Sequence, residues 1–193
     1  MIFMGCRWAM RYVLGRVAWR AAWQGWGEPP PTRRLRLAKL SRGPHGARRY
    51  NRPMTTLFPP AEAFRTHWLP VDGGHRLFVA EYGRPDGVPV LVLHGGPGSG
   101  GSPRLAGPFD PARFRVIVPD QRGAGRSEPV GRTVANTTAG LLADIDLILA
   151  ALGVGRCFVA GGSWGATLGI LHAARRPAQV GGLLLRNPFL ARA

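Results

Sequence analysis

Lysine is almost missing from this chain: Lys39 is the only one among 26 basic residues, so arginine supplies nearly all of a net charge of +16. Acids are equally scarce, ten in 193 residues. Arginine-rich surfaces suit phosphate recognition, but the distribution argues against the whole chain being a nucleic-acid binder. Residues 1–53 hold twelve Lys/Arg against Glu28 alone, whereas residues 54–193 hold fourteen against nine acids. Cysteine is limited to Cys6 and Cys157, far apart and in unlike surroundings; this excludes a disulfide scaffold, and no metal-ligand spacing accompanies them. Long uncharged apolar runs are missing too. The first 27 residues are apolar but are broken by Arg7, Arg11, Arg16 and Arg20, so they cannot supply the roughly 20 uncharged residues of a bilayer span. They also lack the uninterrupted apolar core of a secretory signal. There are no internal repeats.

What is present divides at Met54. Upstream, an arginine-rich, acid-poor amphipathic stretch resembles an organelle transit peptide or an interfacial helix. It runs into "GEPPPTRRLRLAKLSRGPHGARRYNRP", where Pro, Gly and Arg without apolar periodicity read as linker. Residues 1–53 are therefore expected to be a basic extension, disordered or non-native, with a nucleic-acid or membrane-surface module as the competing reading. At Met54 the texture changes to that of a folded domain, expected over residues 54–193.

In that part, "THWLPV" and "HRLFVAEYG" flank Asp72-Gly73-Gly74 as a hairpin. "VPVLVLHG" and "FRVIVPD" are apolar runs of buried parallel strands. Asn136 or Thr137 can cap a helix carrying Leu141, Leu142, Ile145, Ile148, Leu149 and Leu152, which Gly153 stops. "RCFVAG" reads as a strand, "WGATLGILHAARR" as a helix ended by Pro177, and "VGGLLLRN" as a strand. The order implies an α/β fold: an open, mostly parallel sheet with helices on both faces.

Three loops carry chemistry. Gly161-Gly162-Ser163-Trp164-Gly165 fits the G-x-S-x-G elbow, a sharp strand-to-helix turn that exposes a serine hydroxyl at the carboxyl edge of a sheet. Gly161 and Gly165 keep the backbone approach free of side chains, and the helix amino end favours developing negative charge. "LVLHGGPGSGGSP" ends another strand in a glycine-rich loop able to aim amides at a substrate oxygen. A phosphate cradle is the competitor, but the Lys-Ser/Thr ending and the dinucleotide glycine spacing are lacking. His94 precedes this loop and is expected to hold it rather than to act as a base; His172, inside the elbow helix, is expected to be a surface or packing residue. In "DQRGAGRS", Asp120 lies before the serine, whereas this architecture orders serine, acid, histidine. A bracing pair of Asp120 with Arg122 or Arg126 is expected instead.

"HGGPG" (94–98), "DQRGAGRS" (120–127), "ANTT" (135–138) and "GGSWGATL" (161–168), in this order and spacing, resemble the proline iminopeptidase family of α/β-hydrolases. The likeness runs from about Phe58 to Arg192 and covers nothing before Met54. It implies Ser163 as the acylated nucleophile and backbone N–H groups of Gly96 and Trp164 as the oxyanion hole, with Gly95 a motif residue of that loop. It further implies peptide substrates with an amino-terminal proline, a cytoplasmic location, and no metal or cofactor. The chain departs from the family by ending 30 residues after Ser163. The helical cap, the last strands, the triad aspartate and the triad histidine are expected to be absent, giving a truncated α/β-hydrolase that is inactive alone. Another hydrolase such as an esterase, or a non-catalytic fragment or pseudoenzyme whose sheet a partner completes, are the alternatives.

Overall fold

The computed structural model describes residues 57–189. The basic first third, and with it the expectation of an extension over residues 1–53, lies outside the described residues. Six strands form one sheet: β1 (Arg65–Val71), β2 (His75–Gly83), β3 (Val88–Leu93), β4 (Phe114–Pro119), β5 (Cys157–Gly162) and β6 (Val180–Arg186). Their spatial order is β1-β2-β4-β3-β5-β6. β1 and β2 form the antiparallel hairpin, turning through Gly73 and Gly74, both at positive φ. β2 also runs antiparallel to β4, and the pairs β4·β3, β3·β5 and β5·β6 are parallel.

Alternation along each strand builds two cores, because successive side chains point to opposite faces. Leu77, Val79, Leu91, Leu93, Ile117 and Val159 face one side. Phe78, Ala80, Tyr82, Val90, Val92, Val116 and Val118 face the other. Helix α1 (Thr138–Ala151) lays Leu141, Leu142, Ile145, Ile148 and Leu149 onto the first face, joined there by Leu168 and Ala173 of α2 (Trp164–Arg175). Both α-helices among the described residues lie on this face. Among the described residues the second face is covered by Leu105, Ala106 and Phe109, which belong to the connection between β3 and β4. That connection holds a short 3₁₀ turn at Pro103–Ala106. Its glycine and proline content gives no apolar helical stripe to bury.

The ends of α1 follow the sequence closely. Thr137 caps its start, Oγ1 accepting from the Gly140 N–H at 3.1 Å. Asn136 is used differently, donating to the Arg122 carbonyl. Gly153 takes positive φ just beyond the last turn. On the hairpin side, buried Glu81 accepts from His67 Nε2 at 2.7 Å and from Arg115, tying β1, β2 and β4 together. No helix among the described residues is long and apolar enough to cross a membrane.

The strand order places a switch point at β3. The chain leaves β3 for β4 on one side, then crosses through α1 to β5 on the other. At such a reversal the loops beyond the carboxyl ends of neighbouring strands diverge and leave a crevice, where open α/β sheets bind ligands.

Candidate functional site

Two of the loops at that crevice follow β3 and β5. Ser163 is the single residue between β5 and α2, and its backbone is forced to φ 52, ψ −120. A non-glycine residue there is strained by about 1–3 kcal/mol, so the surrounding contacts must impose it. They do: the Ser163 N–H donates to the Arg186 carbonyl at 2.9 Å, and the Ser163 carbonyl accepts from Ala166 and Thr167 in the first turn of α2. Ser163 is exposed at the amino end of the helix, where the unpaired amides and the dipole carry partial positive charge.

The glycines around it are required by space. A Cβ at Gly161 would lie 2.5 Å from the Gly165 carbonyl oxygen, and one at Gly165 would run into the carbonyls of Leu93 and His94. The elbow is therefore packed directly onto the end of β3. From the other side, a Cβ at Gly95 would lie 3.2 Å from the Gly162 carbonyl and 3.4 Å from Ser163 Cβ. Gly96 follows at φ 116, a conformation open to glycine. The structure thus brings Gly95, Gly161, Ser163 and Gly165 together, with Gly96 and Trp164 the next residues along each loop.

His94 is buried beneath this loop with both ring nitrogens engaged. Nδ1 faces the Gly95 carbonyl at 2.7 Å, and Nε2 accepts from the Gln121 N–H at 3.0 Å. These partners assign the neutral tautomer with the proton on Nδ1. Burial lowers its pKa from the ordinary value, against the pull of the Gly95 carbonyl and of Asp120. Gln121 closes a second bond from its side-chain amide to the His94 carbonyl at 2.9 Å. Asp120, also buried, accepts from the Gly101 amide and, at Oδ2, from the backbone N–H and Nε of Arg126 at 2.8 and 3.0 Å. Of the two arginines that the sequence offers it, Arg126 is the partner, stacked over Phe78 at 3.9 Å.

Arg122 turns the other way. Its Nε and Nη2 clasp Asp144 of α1 at 2.8 and 2.6 Å, and Nη1 donates to the Ala135 carbonyl at 2.6 Å. Nη2 also reaches Asp72 in the hairpin turn at 2.7 Å. The Asp144 bond raises the Arg122 pKa above its ordinary value; burial raises the Asp144 carboxyl, and the guanidinium pulls it back. Asp144, Gln121 and Ser127 are the site-supporting residues that sequence reading passed over. A signal for Asp144 existed: it sits between Leu141 and Ile145, a carboxylate inside an apolar helical stripe that must be paired.

A cavity of about 180 Å³ opens beside Pro97 and Gly98, lined also by Gln121, Arg122, Arg132 and Asn136. Ser163 does not line it. Beyond the serine the sequence has no Asp or Glu and a single histidine, His172. That residue is buried within α2, with neither nitrogen hydrogen-bonded. No cluster among the described residues could hold a metal ion.

Residues 88–192 match the model of the alpha/beta hydrolase fold family. The proline iminopeptidase of Neisseria gonorrhoeae is 47% identical over 131 residues, which is 68% of this chain and 42% of that protein. That of Xylella fastidiosa strain 9a5c is 45% identical over 139 residues, 72% of this chain and 44% of its own. The chain therefore spans less than half the length of the curated relatives it matches. Among solved structures, a proline iminopeptidase-related protein from Thermus thermophilus superposes with a TM-score of 0.53 at 31% identity, covering 64% of this chain and 44% of that one. A thioesterase domain from the curacin biosynthetic pathway gives 0.58 at 28% identity, covering 67% and 48%. By its sequence and by the strand order that carries Ser163, this chain belongs to the α/β-hydrolase fold family, aligning within it with proline iminopeptidases over less than half of their length.

Proposed function

We propose that this chain is the nucleophile-bearing part of a serine-dependent, cytoplasmic aminopeptidase that releases amino-terminal proline from peptides. The observation that carries the reading is the backbone of Ser163, held at φ 52, ψ −120 on the end of β5 and presented at the amino end of α2. A hydroxyl so placed is suited to attack a carbonyl, and the amides of Trp164 and Gly96 are assigned to the oxyanion that would form. The proline specificity is supported by the four motifs and by the relatives' printed names. The glycine-rich loop serves acyl chemistry without cofactor or metal.

Attack requires a base, and among the described residues neither His94 nor His172 is free to serve as one. His94 has both nitrogens committed to Gly95 and Gln121, and His172 is enclosed in the helix layer. Without a base the serine stays protonated, and without an acid no histidine would be oriented. Loss of the base alone costs about 10⁴ to 10⁶ in turnover. The 193-residue chain is accordingly expected to release no proline from proline amide above a Ser163→Ala control. Fusing it to the carboxyl-terminal part of the Neisseria relative should restore serine-dependent release. A chimera that hydrolyses simple esters but no prolyl amide would overturn the specificity and favour an esterase.

A second reading, a non-catalytic fragment completed by a partner, is favoured by one observation. Among the described residues β6 pairs only with β5, leaving its other edge open. Stoichiometric capture of a strand-donating partner without any gain of hydrolysis would select it.

A further inference from the structure

Arg122 is among the largest side chains fully buried in the molecule, and its guanidinium gathers three segments that are distant in sequence. It takes both carboxylate oxygens of Asp144 in α1, the Ala135 carbonyl before that helix, and Asp72 in the hairpin turn. One residue earlier in the chain, the Gln121 N–H holds His94 Nε2 and its side-chain amide holds the His94 carbonyl. The imidazole in turn fixes the Gly95 carbonyl, and Gly95 lies against Gly162 and Ser163. We infer that Asp144 is a positioning residue for the loop flanking Ser163, acting through Arg122, Gln121 and His94.

The physical argument is one of degrees of freedom. A bidentate guanidinium–carboxylate pair fixes orientation as well as distance, so anchoring Arg122 to the rigid α1 restricts the backbone that leads back from it to the Gln121 N–H. That peptide supplies the only backbone donor to the His94 ring among the described residues, and a ring bound at both nitrogens cannot rotate or change tautomer. Stability alone is a poor explanation for such a pair, since an apolar replacement of a buried ion pair is often neutral or stabilising. Gly140 agrees with this reading: a Cβ there would lie 2.9 Å from the Ala135 carbonyl oxygen and 3.0 Å from Arg122 Nη1, so the absence of a side chain leaves room for this bonded pair. The functional meaning of the linkage rests on the proposed oxyanion role of Gly96, but the linkage itself has a readout independent of turnover.

That readout is the imidazole ¹H–¹⁵N spectrum of the full chain. In the unaltered protein, His94 is expected to show a protonated, slowly exchanging Nδ1 and an acceptor Nε2. Asp144→Asn keeps the size but offers one acceptor oxygen where the guanidinium uses two. It should speed exchange of the His94 Nδ1 proton at least tenfold and move both nitrogen shifts toward a tautomer average, while His172 signals stay in place. A folded Asp144→Asn protein with unchanged His94 signals overturns the inference, as does a parallel change at His172, which would mark general loosening. Should that variant not fold, Gly140→Ala decides the question, because its methyl crowds the guanidinium together with the Ala135 carbonyl it binds, while the charges remain: the same His94 response is expected, and its absence overturns the inference. A chimera that releases no proline, alongside a responsive His94, sinks the peptidase reading and leaves the linkage standing.

Discussion

Ser163 is held where serine does not rest by itself. Its φ of 52 with ψ −120 lies in a region open to glycine and costly to any residue with a Cβ. The hydroxyl makes no hydrogen bond to the described residues, so the strain is borne by the backbone bonds of Ser163 and not by its side chain. Ser163→Gly is therefore expected to stabilise the chain by about 1 kcal/mol, read from urea denaturation, while removing the only group proposed to attack substrate. An unchanged or lowered stability would mean that the elbow is relaxed as it stands. His94 illustrates the opposite economy: a polar residue buried at both nitrogens, fixed and uncharged, which supports the loop without offering a free lone pair.

At the scale of the element, α2 carries its own unsatisfied polar group. His172 is fully buried, with neither nitrogen hydrogen-bonded, and the charges facing it are Asp146 of α1 at 3.7 Å and Arg175 and Arg176 at the end of its own helix. Burial, more than the two arginines, lowers its pKa below the ordinary value, against the pull of Asp146. A depressed histidine favours the unfolded state once that state can protonate. Its contribution is full above about pH 6.5 and is lost as pH falls below that value. His94 shifts in the same direction, so the folded chain should weaken progressively under mildly acidic conditions. His172→Leu removes one of the two groups and an unsatisfied donor, and is expected to add about 1–2 kcal/mol at neutral pH. It should also flatten the slope of stability between about pH 6.5 and 5. Denaturation midpoints that fall equally steeply in the variant would assign the acid sensitivity elsewhere.

For the molecule as a whole, Cys157 is a reporter placed at the centre. It lies in β5, wholly buried in the core between the sheet and both helices, and burial pushes its thiol up to about 11. Thiolate is the reactive form, so neither exposure nor ionisation favours reaction in the folded state. In a Cys6→Ala background, maleimide labelling at about pH 8 should be roughly 1,000-fold slower, or slower still, than in urea-unfolded chain, since it must await opening of the sheet. Rapid labelling without denaturant would show that the β5–α2 layer opens locally, and with it the elbow.

The sequence alone determined the hairpin, the four following strands, both helices, a cap at Asn136 or Thr137 and the elbow around Ser163, because each rests on local rules: alternation, capping and the space demands of tight turns. Residues 164–193 hold no acid and a single histidine, His172. Partnership was decided only by the tertiary structure. Between Arg122 and Arg126 the choice for Asp120 depended on which guanidinium could reach around the loop, and the partner of Asp144 was settled only when α1 folded against the loop that holds Arg122. Which face each helix covers was likewise not local. Crossover geometry put α1 and α2 on one side, and a proline- and glycine-rich connection was left to cover the other, because the face a helix covers is set by where its two strands lie in the sheet and not by its own periodicity.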